Sequence, residues 1–91
     1  MGEHQATTQL INKLGLHARA SAKFVGVASR YQATIMVERK GLEVNGKSIM
    51  GVMMLAAGPG SEITIRAEGE DSAEAVQALL DLVANRFEED H

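Results

Sequence analysis

The sequence predicts an α+β fold, a largely antiparallel sheet covered by helices on one side only, in the order β-α-β-β-α-β-α. Two segments alternate between apolar and mostly polar residues, so each makes a strand with one face for a core and one for water. Two others repeat apolar residues at helical spacing, and the two kinds interleave along the chain. The chain has 91 residues, 45% of them apolar, which fits one small domain (1–91) without an internal repeat or low-complexity linker.

The elements follow in order. Residues 1–5 (Met1 to Gln5) are polar and are expected to be loose. Ala6 to Asn12 is Thr-rich and reads as a short strand with weak alternation. From Ala18 to about Ser29 the chain is alanine-rich, and Ala18, Ala22, Val25 and Ala28/Ser29 recur at helical spacing. Ala33, Ile35 and Val37 alternate with Thr34, Met36 and Glu38, a half-buried strand. Arg39-Lys40-Gly41 then turns a hairpin into Leu42-Glu43-Val44, and Asn45-Gly46 supplies the next turn. Ile49 to Ala57 is an uncharged run that Gly58-Pro59-Gly60 ends. Ile63, Ile65 and Ala67 alternate with Glu62, Thr64, Arg66 and Glu68, the clearest strand in the chain. The last helix opens at Asp71 with Glu74 three residues on, a capping-box-like start, and carries the stripe Val76, Leu79, Leu80, Val83 and Phe87. Glu88 to His91 is expected to fray as a solvated acidic end.

Composition narrows the function. Nine Lys and Arg against twelve Asp and Glu give a net charge of −3, and three aromatics leave little for stacking on bases. Both argue against nucleic acid as a partner. Without cysteine there is no disulfide or thiolate metal site, which suits a reducing compartment. No signal-peptide pattern and no membrane-length apolar run are visible, so a soluble cytoplasmic domain is expected.

His17 is the first candidate for chemistry. It lies between the glycine-containing turn Leu14-Gly15-Leu16 and the following helix, at or beside the N-cap. Free backbone N–H groups and the helix dipole make such a position a ready anion site, and they favour the neutral, nucleophilic imidazole. Arg19, in the first turn, adds forked donors suited to phosphate. On the residues alone, a His17 that merely begins a helix, with Arg19 solvated, stays an open alternative. His4, His17 and His91 are too far apart for a metal site, and no serine stands in a nucleophile-elbow context.

Ser48 is placed to cap the apolar helix that follows it. Methionine-rich helices of this kind serve as adaptable contact surfaces. Val52 and Leu55 are expected inward, and Ile49, Met50 and Met53 outward; ordinary core packing behind a structural cap is the alternative.

Gly15-Leu16-His17-Ala18-Arg19 closely resembles the active-site motif of the HPr family, the histidine-containing phosphocarriers of the bacterial phosphotransferase system. Lys47-Ser48-Ile49-Met50-Gly51-Val52-Met53 resembles the same family's regulatory-serine segment, and the likeness runs from about Thr7 to Phe87. It implies an open-faced β-sandwich, four antiparallel strands in the order 1-4-2-3 with three helices on one face. It also implies that Nδ1 of His17 accepts a phosphoryl group from phosphorylated enzyme I, supplied by phosphoenolpyruvate, and passes it to an enzyme IIA domain, with no cofactor. Ser48 would be the target of an HPr kinase/phosphorylase, and Leu16, Ala20, Ile49, Met50 and Met53 would face partners of a monomer. Most members carry proline where this chain has Ala20. The H-A-R-A-S and M-M-L-A-A segments resemble proteobacterial members, some of which serve a nitrogen-related branch in place of sugar uptake.

Two other functions fit the fold class. A small-molecule-sensing regulatory domain would use Gly58-Pro59-Gly60 as a ligand loop and leave His17 and Arg19 unexplained. A regulator without phosphotransfer would dock through the Ser48 helix.

Overall fold

The computed structural model describes residues 2–89. The strands β1 (Glu3–Gln9), β2 (Thr34–Arg39), β3 (Leu42–Asn45) and β4 (Glu62–Glu68) alternate with the helices α1 (Ala18–Ala28), α2 (Ile49–Met54) and α3 (Ser72–Ala84) in the expected order. A tight turn, Arg86–Glu88, follows α3. The sheet runs β1-β4-β2-β3 with every neighbouring pair antiparallel, as the resemblance implied.

The strand period decides the layers. On β2 and β4 the residues Ile35, Val37, Ile63, Ile65 and Ala67 are buried, and those between them are half-buried or exposed. One face therefore holds the core and the other faces water, where Arg66 pairs with Glu43 at 2.9 Å. The helices close the inner face with Phe24 from α1, Val52 from α2 and Val76, Leu79 and Val83 from α3.

Several expectations need correction. Residues 3–5 are not loose: they pair with Glu68, Ala67 and Arg66 of β4. The His4 imidazole Nδ1 and the buried Ser72 hydroxyl share a 2.9 Å hydrogen bond across to α3. The strand stops at Gln9 because its partner β4 begins at Glu62. Its alternation was hard to see because the inward positions are the small or polar Ala6 and Thr8 before Leu10 and Asn12 become fully buried.

The inward face of α1 is Ala20, Ser21, Phe24 and Ala28, while Ala18 and Ala22 are exposed. Of the expected stripe, Ala28 is buried and Val25 packs against the core, but Ala18 and Ala22 face solvent, since alanine reads equally well in core and solvent and the one large residue, Phe24, sets the orientation. Asp71 makes no side-chain cap on α3. Its carboxylate instead accepts from the N–H groups of Gln32 and Ala33, both at 2.9 Å, tying α3 to the entrance of β2. Phe87 is fully buried as expected, yet outside α3, in a turn whose residues Arg86, Phe87 and Glu88 all have positive φ. That left-handed turn reverses the chain after α3. It holds Glu88 in place and delivers Glu89 to the molecule, so the expected acidic tail is ordered this far; Met1, Asp90 and His91 lie outside the described residues.

Candidate functional site

The site is assembled on the loop between β1 and α1. Leu10 exchanges backbone hydrogen bonds with the loop before β4: its N–H donates to Ser61 O and its carbonyl accepts from Gly60 N–H, both at 2.8 Å. Leu16 N–H donates to Ala57 O at 2.8 Å. At Gly15, φ is +63°, and a Cβ there would come within 2.3 Å of Ala57 O, so no side chain fits. Gly58-Pro59-Gly60, which a sensor would use as a ligand loop, thus belongs to the brace behind His17.

His17 occupies the N-cap of α1 with extended backbone, and its imidazole makes no cap. The first N–H of the helical ladder is that of Ser21, donated to His17 O at 2.8 Å, so the N–H groups of Ala18, Arg19 and Ala20 precede the ladder. His17 is partly exposed and lies in an open cleft of about 630 Å³ with Leu14, Arg19, Lys23, Glu88 and Glu89. Two cations therefore share the cleft with the ring, Arg19 two residues on and Lys23 one helical turn beyond Arg19.

The carboxylates come from the other end of the chain. Glu89 Oε2 accepts from His17 Nε2–H at 2.5 Å, and Oε1 accepts from the Asn12 amide at 3.2 Å. The same Nδ2 of Asn12, fully buried, donates to Gly15 O at 2.8 Å, while its Oδ1 has no partner among the described residues. Lys23 Nζ donates to Phe87 O at 2.8 Å and lies 3.5 Å from Glu88. Partial burial opposes ionisation of Glu89, but the hydrogen bonds from His17 and Asn12, with the fields of His17 and Lys23, outweigh it and hold its carboxyl below the ordinary glutamate value.

Sequence reasoning brought His17 and Arg19 together correctly in one cleft, and missed Asn12, Lys23 and Glu89. Lys23 was legible one helical turn beyond Arg19. Glu89 was not, because its position depends on Phe87 being anchored in the core and on the reversal of the chain after α3.

Ser48 N-caps α2, its Oγ accepting from Gly51 N–H at 3.0 Å. Val52 and Leu55 are buried, whereas Ile49, Met50 and Met53 are 44%, 75% and 41% exposed. Met54, not singled out from the sequence, is exposed as well. Leu16 and Ala20 are corrected: they are 5% and 0% exposed. Each points into the core from the loop and helix that carry His17, so neither side chain has surface to offer a partner. Leu14, at 61%, is the exposed apolar residue of that loop.

The family model described as "PTS HPr component phosphorylation site" matches residues 4–85. The phosphocarrier protein HPr of Cupriavidus necator is 55% identical over 85 residues, which cover 93% of this chain and 96% of that protein. The crystal structure of HPr from Thermoanaerobacter tengcongensis superposes with a TM-score of 0.93 at 43% identity, covering 97% of this chain and 99% of its own. A structure of an HPr dimer from the same organism gives a TM-score of 0.77 at 45% identity, over 92% and 97% of the two chains. With model and relatives spanning nearly all its length, and with His17 at the helix start where the motif requires it, the chain belongs to the HPr family of phosphocarriers of the phosphotransferase system.

Proposed function

We propose that the chain carries a phosphoryl group on His17, received from phosphorylated enzyme I with phosphoenolpyruvate as the ultimate donor, and delivers it to an enzyme IIA domain. The observation that supports this reading is the half-exposed imidazole at the start of α1, with Arg19 and Lys23 in the same cleft. A phosphoryl dianion on the ring meets free N–H groups, the positive end of the helix and two cations. In this role the protein is a stoichiometric carrier working as one cytoplasmic unit over residues 1–91, and it needs no cofactor. Enzyme I and the IIA domain meet it through the exposed Ile49, Met50 and Met53 of α2, which packs against α1, and the carrier acts as a monomer. Ser48 is the regulatory position, open to an HPr kinase/phosphorylase.

Incubation with phosphoenolpyruvate and enzyme I tests the central reading. The label is expected to be acid-labile and alkali-stable, and to vanish in His17→Ala with the circular dichroism spectrum unchanged. Label that survives in that variant, or that maps to His4 or His91, refutes the assignment.

A further inference from the structure

We infer that Glu89, which lies beyond the span matched by the family model, is a positioning residue for His17: its carboxylate holds the ring proton on Nε2 and so leaves Nδ1 as the nucleophile. The inference rests on His17 being the phosphoryl acceptor.

A neutral imidazole has one N–H and one free lone pair, and the partner of one nitrogen decides the role of the other. A carboxylate can only accept, so the 2.5 Å contact places the proton on Nε2. Glu89 is not a wandering surface side chain. Its side chain is 13% exposed, and the Asn12 amide holds its second oxygen. The turn behind it is pinned by the buried Phe87 ring and by Lys23 on the Phe87 carbonyl. Carboxylate, imidazole Nε2–H and nucleophilic nitrogen thus stand in line, the arrangement by which a buried aspartate orients histidine in hydrolytic triads.

The transfer step balances. Nδ1 donates its lone pair to phosphorus as the bond from phosphorus to the donor atom breaks, and the donor leaves with that electron pair. The Nε2 proton stays where it is. The ring gains one positive charge, opposite the Glu89 carboxylate, and loses it again when the phosphoryl group moves on. Among the described residues, the charged groups that line the cleft with the ring are Arg19 and Lys23 from α1, and Glu88 and Glu89 from the C-terminal turn.

Three variants of the full chain test this: Glu89→Ala, Glu89→Gln and Glu89→Asp. Their His17 ring is followed by 15N NMR with and without the phosphoryl group, beside the rate of phosphorylation by enzyme I. In the parent, Nε2 carries the proton with and without the phosphoryl group. Glu89→Ala is expected to mix the two tautomers and to slow phosphorylation on the order of tenfold, the scale of one charge-assisted hydrogen bond. Glu89→Gln should keep the tautomer, and Glu89→Asp should recover part of both the tautomer and the rate. A Glu89→Ala protein with parental tautomer and parental rate overturns the role of Glu89 while leaving His17 as acceptor. A slower rate with an unaltered ring also overturns it, since the residue then acts on docking alone. Label on a residue other than His17 in the parent overturns the reading of the acceptor and the role of Glu89 with it.

Discussion

At the scale of single residues, the cleft separates Arg19, whose donors are free among the described residues, from Gly15, which fits the loop. Arg19 is exposed in the first turn of α1, and among the described residues its guanidinium makes no hydrogen bond or ion pair. Arg19→Ala should therefore leave the melting temperature unchanged. Transfer to and from His17 should slow by about a hundred- to a thousandfold, the effect of removing one donor worth roughly 2.7–4 kcal/mol to the transition state. Rapid-quench transfer rates equal to those of the parent would show that the backbone N–H groups and Lys23 suffice. Gly15 acts the other way. Gly15→Ala imposes positive φ on a residue with a Cβ and drives that Cβ against Ala57 O. Backbone strain alone costs about 1–3 kcal/mol, so the urea midpoint should fall and phosphorylation of His17 should slow with it. An alanine variant with the parental midpoint would mean that the 57–60 loop yields freely.

At the scale of elements, α2 is a short helix with a cap on one side of its function and an apolar surface on the other. Replacing the Ser48 hydroxyl by a carboxylate retains an acceptor for Gly51 N–H and adds a negative charge at the helix N-terminus, where it is favoured. Ser48→Asp is thus expected to melt within a few degrees of the parent. The same charge adjoins Ile49 and Met50, opposes their desolvation and should raise the KM for enzyme I several-fold with kcat little changed. Unaltered KM in that variant would remove Ser48 from the docking surface. On α1, Ala20 stands where the resemblance leads one to expect proline. Its N–H precedes the helical ladder, so alanine fills the position without the ring and the helix still starts at Ala18.

At the scale of the whole molecule, two carboxylates tie distant parts of the chain together and set its behaviour in acid. Asp71 is held below the ordinary aspartate value chiefly by the Gln32 N–H, then, against some burial, by the Ala33 N–H, its own backbone and the field of Lys47. Glu89 is lowered too, by the groups described above. Both have folded values below their unfolded ones, so the unfolded chain takes up protons first as pH falls. Their contribution is complete above about pH 5, past the unfolded carboxylate values of roughly 4, and is lost as pH drops through the lowered folded ones. Thermal melts from neutrality down to pH 2 should show Asp71→Asn losing less on acidification than the parent, because the uncharged amide has no proton to gain. Parallel curves for the two proteins would exclude Asp71 from the acid limb.

What the sequence determined by itself was whatever rests on neighbours along the chain. The alternation of Ile63, Ile65 and Ala67 set the inner face of β4, Lys40-Gly41 formed the hairpin turn with positive φ at both residues, and Gly15 to Arg19 marked a helix start with a histidine at its head. Ser48 capped α2 for the same local reason. Tertiary structure alone decided the rest. Alanine's indifference to burial left the orientation of α1 to Phe24, and the Asp71 side chain turned from its own helix to the N–H groups of Gln32 and Ala33, which no local pattern announces. Leu16 and Ala20 sit next to His17 in sequence but point the other way, into the core. Glu89 lies 72 residues from His17, and the two meet because burying Phe87 folds the chain end back over α1. Local patterns thus carried the acceptor and its helix, while the carboxylate on its ring depended on a contact that exists only once the core has closed.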